Sequence, residues 1–311
     1  MSWDRVERLI GTENLTRLSG VRVGVVGLGS GGGLVALSLA MSGVGHFVLV
    51  DDDILESTNI VRHVADLSFL GQPKAEAVAE LIHRRNPEAQ VDLHVGRIEQ
   101  HLDVLDNVDV LVVGVDGENA KYIINQACLE RRLTAVYAGV YERGEGGDVV
   151  VIQPYDGPCY ACWAAELREG LALGKPDRAQ GEVELDYGMI GPEGTLEAEP
   201  GLWLHVLRVA TVQADLALNE LLRDTNVYQT MPANTIILAN RELEIIDGQV
   251  NAPYTSVWVN IERDPHCLIC GDKMQRDTSE ASERLGDNGS GALSLDELMN
   301  TAGLKLDEDS E

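Results

Sequence analysis

Residues 21–62 read VRVGVVGLGSGGGLVALSLAMSGVGHFVLVDDDILESTNIVR, a glycine-rich turn between two apolar runs that ends in acidic and basic residues. Val21 to Val26 is a β-branched run of the kind that forms a buried parallel strand, and Leu34 to Met41 has helical character. Between them Gly27, Gly29 and Gly32 supply a G-x-G-x-x-G pattern. The first glycine permits a tight turn, the second lets phosphate approach the backbone, and the third lets helix pack on strand. A helix N-terminus adds unpaired N–H groups and a positive dipole end. The next strand, Phe47 to Val50, ends at Asp51, where a carboxylate meets ribose hydroxyls. That carboxylate favours an unphosphorylated ribose, as in ATP or NAD, over NADP.

Strand and helix keep alternating downstream. Strands are expected at Val91–Val95, Asp109–Val115 and Thr134–Val140, with helices at Pro73–Asn86 and Asn119–Arg131. This pattern predicts an α/β fold with a Rossmann-like, doubly wound, mainly parallel sheet. Ligands of such sheets sit beyond the strands' carboxyl ends, so Asp116 should share a crevice with Asp51. Ahead of the first strand, Trp3 to Leu18 reads as one amphipathic helix carrying Arg5 and Arg8, and Glu56 to His63 reads as a polar loop.

Past Val140 the alternation stops. Gly147–Gln153, Thr235–Leu238, Leu243–Ile246 and Ser256–Ile261 read as antiparallel continuations of the sheet, with a helix at Trp203–Leu222. Leu167 to Pro200, rich in Gly, Glu and Pro, reads as a surface loop or cover segment. From Lys273 the chain is polar and acidic, with a short helix possible at Leu295–Thr301 behind a Ser294/Glu297 capping box. The division expected is an N-terminal helix (1–20), a nucleotide-binding domain (21–155), a zinc- and substrate-binding half with its cover loop (156–271), and an acidic tail (272–311).

Cys159-x-x-Cys162 and Cys267-x-x-Cys270 are two knuckles whose paired thiolates suit a closed, tetrahedral structural zinc site. Two disulfides or free thiols are the alternative, and cytosolic disulfides are rare. Cys128, in mid-helix, reads as a small buried apolar residue.

The net charge of −27, with Arg far outnumbering Lys, disfavours a nucleic-acid surface. Neither a basic-then-apolar leader at Met1 nor an unbroken apolar run of spanning length is visible, so a cytoplasmic protein with no membrane partner is expected. A plain dehydrogenase has no need of the cations that follow the second strand. Arg62 and Lys74, with Asn59 nearby and the Asp116 carboxylate across the crevice, are what nucleotidyl transfer uses, because cations offset phosphate charge and a carboxylate can hold Mg²⁺.

The order DRVERLIG, GLGSGG, VDDDILESTNIVR, GQPKA and VDGENAKYIIN, followed by the two C-x-x-C pairs, resembles the ubiquitin-activating-enzyme-like superfamily of ThiF, MoeB and HesA adenylyltransferases. The resemblance covers roughly Trp3 to Gly271 and is densest before Tyr141. It implies ATP-dependent adenylation of a C-terminal carboxylate, usually of a small ubiquitin-fold or sulfur-carrier protein ending in Gly-Gly, with a conjugating or sulfur-transfer protein downstream. It implies that Asp51 binds ribose, that Asn59, Arg62 and Lys74 bind the triphosphate, that Asp116 binds magnesium and that the four cysteines bind zinc. Arg5 matches an arginine that reaches the phosphates from a neighbouring subunit, which implies a homodimer. Family members that carry the activated protein on their own thiol have a cysteine between the two pairs. This chain has none there, so it is expected to stop at the adenylate or to hand it to a separate nucleophile. A peptide or tRNA-linked carboxylate, or a non-catalytic scaffold role, are the other readings, and the acidity disfavours the tRNA version.

Overall fold

The computed structural model describes residues 2–173, 201–246 and 249–272. Its centre is an eight-stranded sheet. Five strands are parallel: β1 (Arg22–Val26), β2 (His46–Asp51), β3 (Gln90–Val95), β4 (Val110–Val113) and β5 (Thr134–Val140). Three antiparallel strands continue it: β6 (Gly146–Ile152), β7 (Thr235–Ala239) and β10 (Ser256–Val259). A separate hairpin pairs β8 (Leu243–Ile246) with β9 (Gln249–Asn251). Across the sheet the order is β10-β7-β6-β5-β4-β1-β2-β3. The chain reverses direction of winding between β1 and β4, and that switch point opens a crevice at the strands' carboxyl ends.

Strand periodicity sorts the core into two layers. On one face Val23 and Val25, Phe47 and Leu49, Val110 and Val112, and Val149 and Val151 pack under α3 (Gly32–Met41), α4 (Lys74–Arg85) and α7 (Trp203–Leu221). The alternate residues Val26, Val48 and Val50, Leu111 and Val113, and Val150 and Ile152 pack under α5 (Glu118–Arg131) and α6 (Tyr160–Leu173). Both faces are covered, so the central strands are continuous apolar runs.

The N-terminal segment forms two helices, α1 (Asp4–Ile10) and α2 (Thr12–Gly20), where a single one was expected. Gly11 separates them at φ +85° and ψ 156°, a conformation essentially restricted to glycine. Asn14 then bonds back to the Ile10 carbonyl at 2.7 Å and across to Asn226 Oδ1 at 2.9 Å. The loop expected from Leu167 is helical through Leu173, because α6 continues from the second cysteine of its knuckle. The rest of that loop, the tail from Lys273 and the helix expected at Leu295–Thr301 lie outside the described residues. The polar loop at Glu56–His63 contains a single 3-10 turn at Ile60–Arg62, and the last strand stops at Val259.

Candidate nucleotide site and metal centre

A cavity of about 370 Å³ lies in the crevice. Gly27 and Gly29 line it from the end of β1, Asp51 to Asp53 from β2, Gly96 to Glu99 from β3, and Gly114 to Gly117 from β4. Lys74 at the start of α4 and Asn119 and Ala120 in the first turn of α5 complete it.

The glycines have three separate jobs. Gly27 has φ +84°, and a Cβ there would stand 2.6 Å from the Gly114 carbonyl carbon. Gly32 starts α3 directly against the turn, and a Cβ would fall 1.9 Å from the Gly27 carbonyl oxygen. Gly29 faces open space, with nothing within 4 Å of where its Cβ would be. Among the described residues the N–H groups of Gly29, Ser30 and Gly31 make no backbone hydrogen bond, so the mouth of α3 presents free donors where a phosphate would lie.

Asp51 is 9% exposed and works first on the protein's own backbone. One oxygen accepts the Leu28 N–H at 2.6 Å, the other the Asp53 N–H at 2.9 Å. Each oxygen keeps a lone pair, so the ribose role is still chemically open. Burial raises its pKa, opposed by those two N–H groups and by Lys74. Lys74 is itself buried, and its Nζ lies 2.6 Å from Asp53 Oδ2, a carboxylate on the cavity rim. Asp116 is exposed, lines the cavity and has no ion pair or hydrogen bond among the described residues. That leaves its oxygens available to a hard cation such as Mg²⁺.

Thus Gly27, Gly29, Asp51, Lys74 and Asp116 converge on one cavity, with Gly32 directly behind its turn. Asn59, Arg62 and Arg5 do not line it. Asn59 Oδ1 accepts the Glu56 N–H at 3.0 Å and closes the turn that carries Arg62. The Arg62 side chain has no ion-pair or hydrogen-bond partner among the described residues, and Arg5 is exposed on α1.

Three contributors were not anticipated from the sequence. Asp53 holds Lys74, and its spacing from Asp51 was the available signal. Gly114 ends β4 where Gly27 and Gly32 converge, and a Cβ on it would lie 2.6 Å from the Gly27 oxygen. His63 is buried and braces the turn from behind. Its Nδ1 accepts the Ala65 N–H at 3.0 Å, so Nε2 carries the proton and donates to the Leu28 carbonyl at 2.7 Å. Desolvation lowers its pKa and keeps it neutral.

The four cysteine sulfurs lie within 4.8 Å of one another. Cys159 and Cys162 are 3.8 Å apart, Cys159 and Cys267 3.8 Å, and Cys162 and Cys270 3.5 Å. None is at disulfide distance, and the cysteines are free thiols. A tetrahedron with Zn–S of about 2.3 Å has edges of about 3.8 Å, so the donor set and its spacing fit zinc. Thiols so crowded cannot all ionise unaided. A hydrogen bond from Cys270 and other donors bring Cys159 down to about 5, while burial pushes Cys162 up to about 11 and Cys270 rises through its bond to Cys159. A divalent cation would let all four be thiolates. The knuckle turn depends on Gly271, whose Cβ would stand 2.3 Å from the Cys267 oxygen. Packed with Leu129 of α5, the cluster fastens the 267–270 knuckle to the start of α6.

These features define an α/β domain with a nucleotide-type crevice and a cluster of four thiols spaced to hold a metal ion. The chain belongs to the ThiF family, whose match spans residues 4–231. It is 34% identical over 163 residues to the SAMP-activating enzyme E1 of Haloferax volcanii, covering 51% of this chain and 59% of that one. It is 30% identical over 171 residues to ubiquitin-like modifier-activating enzyme 5 of Drosophila ananassae, covering 50% and 43%. The matches thus span about half the length of these relatives. Among solved structures, E. coli MccB with MccA-N7isoASN superposes with a TM-score of 0.60 at 19% identity over 83% of this chain and 69% of that one. E. coli MccB with ATP gives 0.60 at 18% over 87% and 75%. At such identities these structures show a shared fold. No described helix is long and apolar enough to cross a membrane.

Proposed function

We propose that the chain adenylates the C-terminal carboxylate of a small ubiquitin-fold or sulfur-carrier protein ending in Gly-Gly, consuming ATP and releasing pyrophosphate. The observation that carries this reading is the convergence of Gly27, Gly29, Asp51, Lys74 and Asp116 on one cavity at the switch point of the sheet. A cofactor cradle for hydride transfer uses the first three; a buried lysine and a free carboxylate serve phosphoryl chemistry. The names of the relatives, a SAMP-activating enzyme and a ubiquitin-like modifier-activating enzyme, point the same way.

In this reading the α3 mouth receives phosphate oxygens and Asp51 the ribose. The substrate carboxylate, already ionised at neutral pH, attacks the α-phosphorus in line. The bond to the bridging oxygen breaks, and its electron pair leaves with pyrophosphate. Lys74 exchanges Asp53 for phosphate oxygen and offsets charge moving onto the leaving group. Asp116 would hold Mg²⁺, which supplies further neutralisation of the phosphates. Arg62, free on its turn, and Arg5, exposed on α1, complete the anion site, Arg5 from the second chain of a homodimer. Cys128 is buried and no cysteine stands between the two pairs, so the product is the free adenylate, passed to a separate conjugating or sulfur-transfer protein.

A peptide carboxylate is the second reading, favoured by the fold shared with MccB solved with MccA. ATP–pyrophosphate exchange tests both. Exchange stimulated by a Gly-Gly protein supports the first, exchange stimulated only by a peptide supports the second, and ATP binding with no exchange for any carboxylate supports a non-catalytic scaffold.

A further inference from the structure

Asn125, in the middle of α5, is 1% exposed, although nothing in the nucleotide chemistry calls for a buried amide there. Its Oδ1 accepts the Tyr160 N–H at 2.9 Å. That bond fixes the amide's orientation, since only the oxygen can accept, and it turns Nδ2 the other way. Nδ2 has no hydrogen-bond partner among the described residues, and Leu129, one turn further along the same face of α5, packs in the cysteine cluster with Cys159. A buried amide N–H without a full partner is costly, unless a stronger acceptor forms in front of it.

We propose that Asn125 is a positioning residue of the metal centre, its Nδ2–H donating to Cys159 when that sulfur is a metal-bound thiolate. Four thiolates around one divalent cation carry an excess of two negative charges, and N–H donors to sulfur spread that charge and fix the ligand's direction. The backbone N–H of Ile269 already faces Cys267 Sγ at 3.4 Å, so Asn125 supplies the corresponding donor on the opposite knuckle. The arrangement also has a reach beyond the cluster. Tyr160, the residue after Cys159, gives its N–H to Asn125 and its hydroxyl to the Glu118 carboxylate at 3.2 Å, while its ring stacks on Tyr137 with centroids 4.7 Å apart. Glu118 begins α5, beside the cavity-lining Gly117, Asn119 and Ala120. Metal binding therefore pins one knuckle to the helix that walls the nucleotide cavity.

The test uses the full chain loaded with zinc. Asn125→Asp keeps an acceptor for the Tyr160 N–H and replaces the amide donor by a carboxylate; Asn125→Leu keeps the side chain's bulk and removes the donor without adding charge. Zinc transfer to a chromogenic chelator should be about 10–100-fold faster for both, the range seen when an outer-shell partner of a metal ligand is lost. In cobalt(II)-loaded protein the sulfur-to-metal absorption band should move to lower energy, because an undonated thiolate is the better electron donor. A variant too unstable to purify is replaced by the other, and Asn125→Gln, which keeps an amide donor, serves as the rescue control and should restore most of the wild-type band that the donor-less variant loses. Release rates within twofold of wild type and an unshifted band would overturn the proposal.

Discussion

The three fingerprint glycines should separate folding from nucleotide binding when each is changed to alanine. At Gly32 the new methyl carbon would sit 1.9 Å from the Gly27 carbonyl oxygen, about 1.5 Å short of ordinary contact. The obstacle is backbone on both sides, so α3 must shift off the turn, and α3 packs against both α4 and α7. Overpacking of this kind costs about 3 kcal/mol, which lowers the melting temperature by roughly 5 °C for a chain of this size. At Gly29 the outcome is the opposite. Its φ is not positive and nothing lies within 4 Å of the added methyl, so stability should change by less than about 1 kcal/mol and in the favourable direction. The methyl does project into the space where phosphate must meet the Gly29 to Gly31 N–H groups. ATP affinity, measured by calorimetry, should fall at least ~10-fold, the loss of one charge-assisted hydrogen bond. Thermal unfolding and calorimetry on the two variants decide the matter. Gly29→Ala that binds ATP like wild type, or Gly32→Ala that melts with wild type, refutes the assignment of jobs to these glycines.

Lys74→Ala should abolish ATP–pyrophosphate exchange and leave Asp53 without its cation; exchange at wild-type rate would remove Lys74 from the proposed chemistry. Stripping metal with a chelator should destabilise the protein by several kcal/mol, of the order of the ~10 kcal/mol that structural zinc contributes in small domains, and metal analysis should return about one zinc per chain. His63 has a folded pKa below its unfolded value of about 6.5, so its contribution is complete above pH 6.5 and is lost as pH falls through the folded value. Urea melts should therefore show less pH dependence between pH 5 and 7 in His63→Gln than in wild type. Asp148 runs the other way, because burial raises its carboxyl to about 7. Its contribution is present at low pH and lost as pH rises through 7. Asp148→Asn should gain on wild type across that range by up to about 4 kcal/mol, and equal pH profiles would show that the carboxyl is not desolvated.

What could be read from the chain, and what could not, divides along the range of the forces involved. The strand–turn–helix–strand unit is legible because every signal in it is local: β-branched runs, a glycine turn and an aspartate at the end of β2 all fall within one βαβ unit. The cysteine pairs are legible for the same reason within each knuckle. Their meeting across 108 residues is a matter of topology, and only the antiparallel continuation of the sheet brings it about. The break at Gly11 was missed because helical periodicity on both sides outweighed one residue, although only glycine holds φ +85° with ψ 156°. Asp53, His63 and Asn125 were missed for a different reason. Each acts by satisfying a polar group that another part of the chain buries; His63 and Asn125 carry no pattern of their own, and Asp53 carries only its two-residue spacing from Asp51. Asp51 shows where the two kinds of information meet. Its spacing from the turn marks it as a ribose ligand, yet in the fold its two oxygens first hold Leu28 and Asp53, the residues that set the turn's shape and the Lys74 partner. A substitution there would disorder the phosphate end and the lysine together. Loss of nucleotide affinity in an Asp51 variant would therefore report on the scaffold as well as on the ribose, whereas Gly29→Ala reports on the phosphate contact alone.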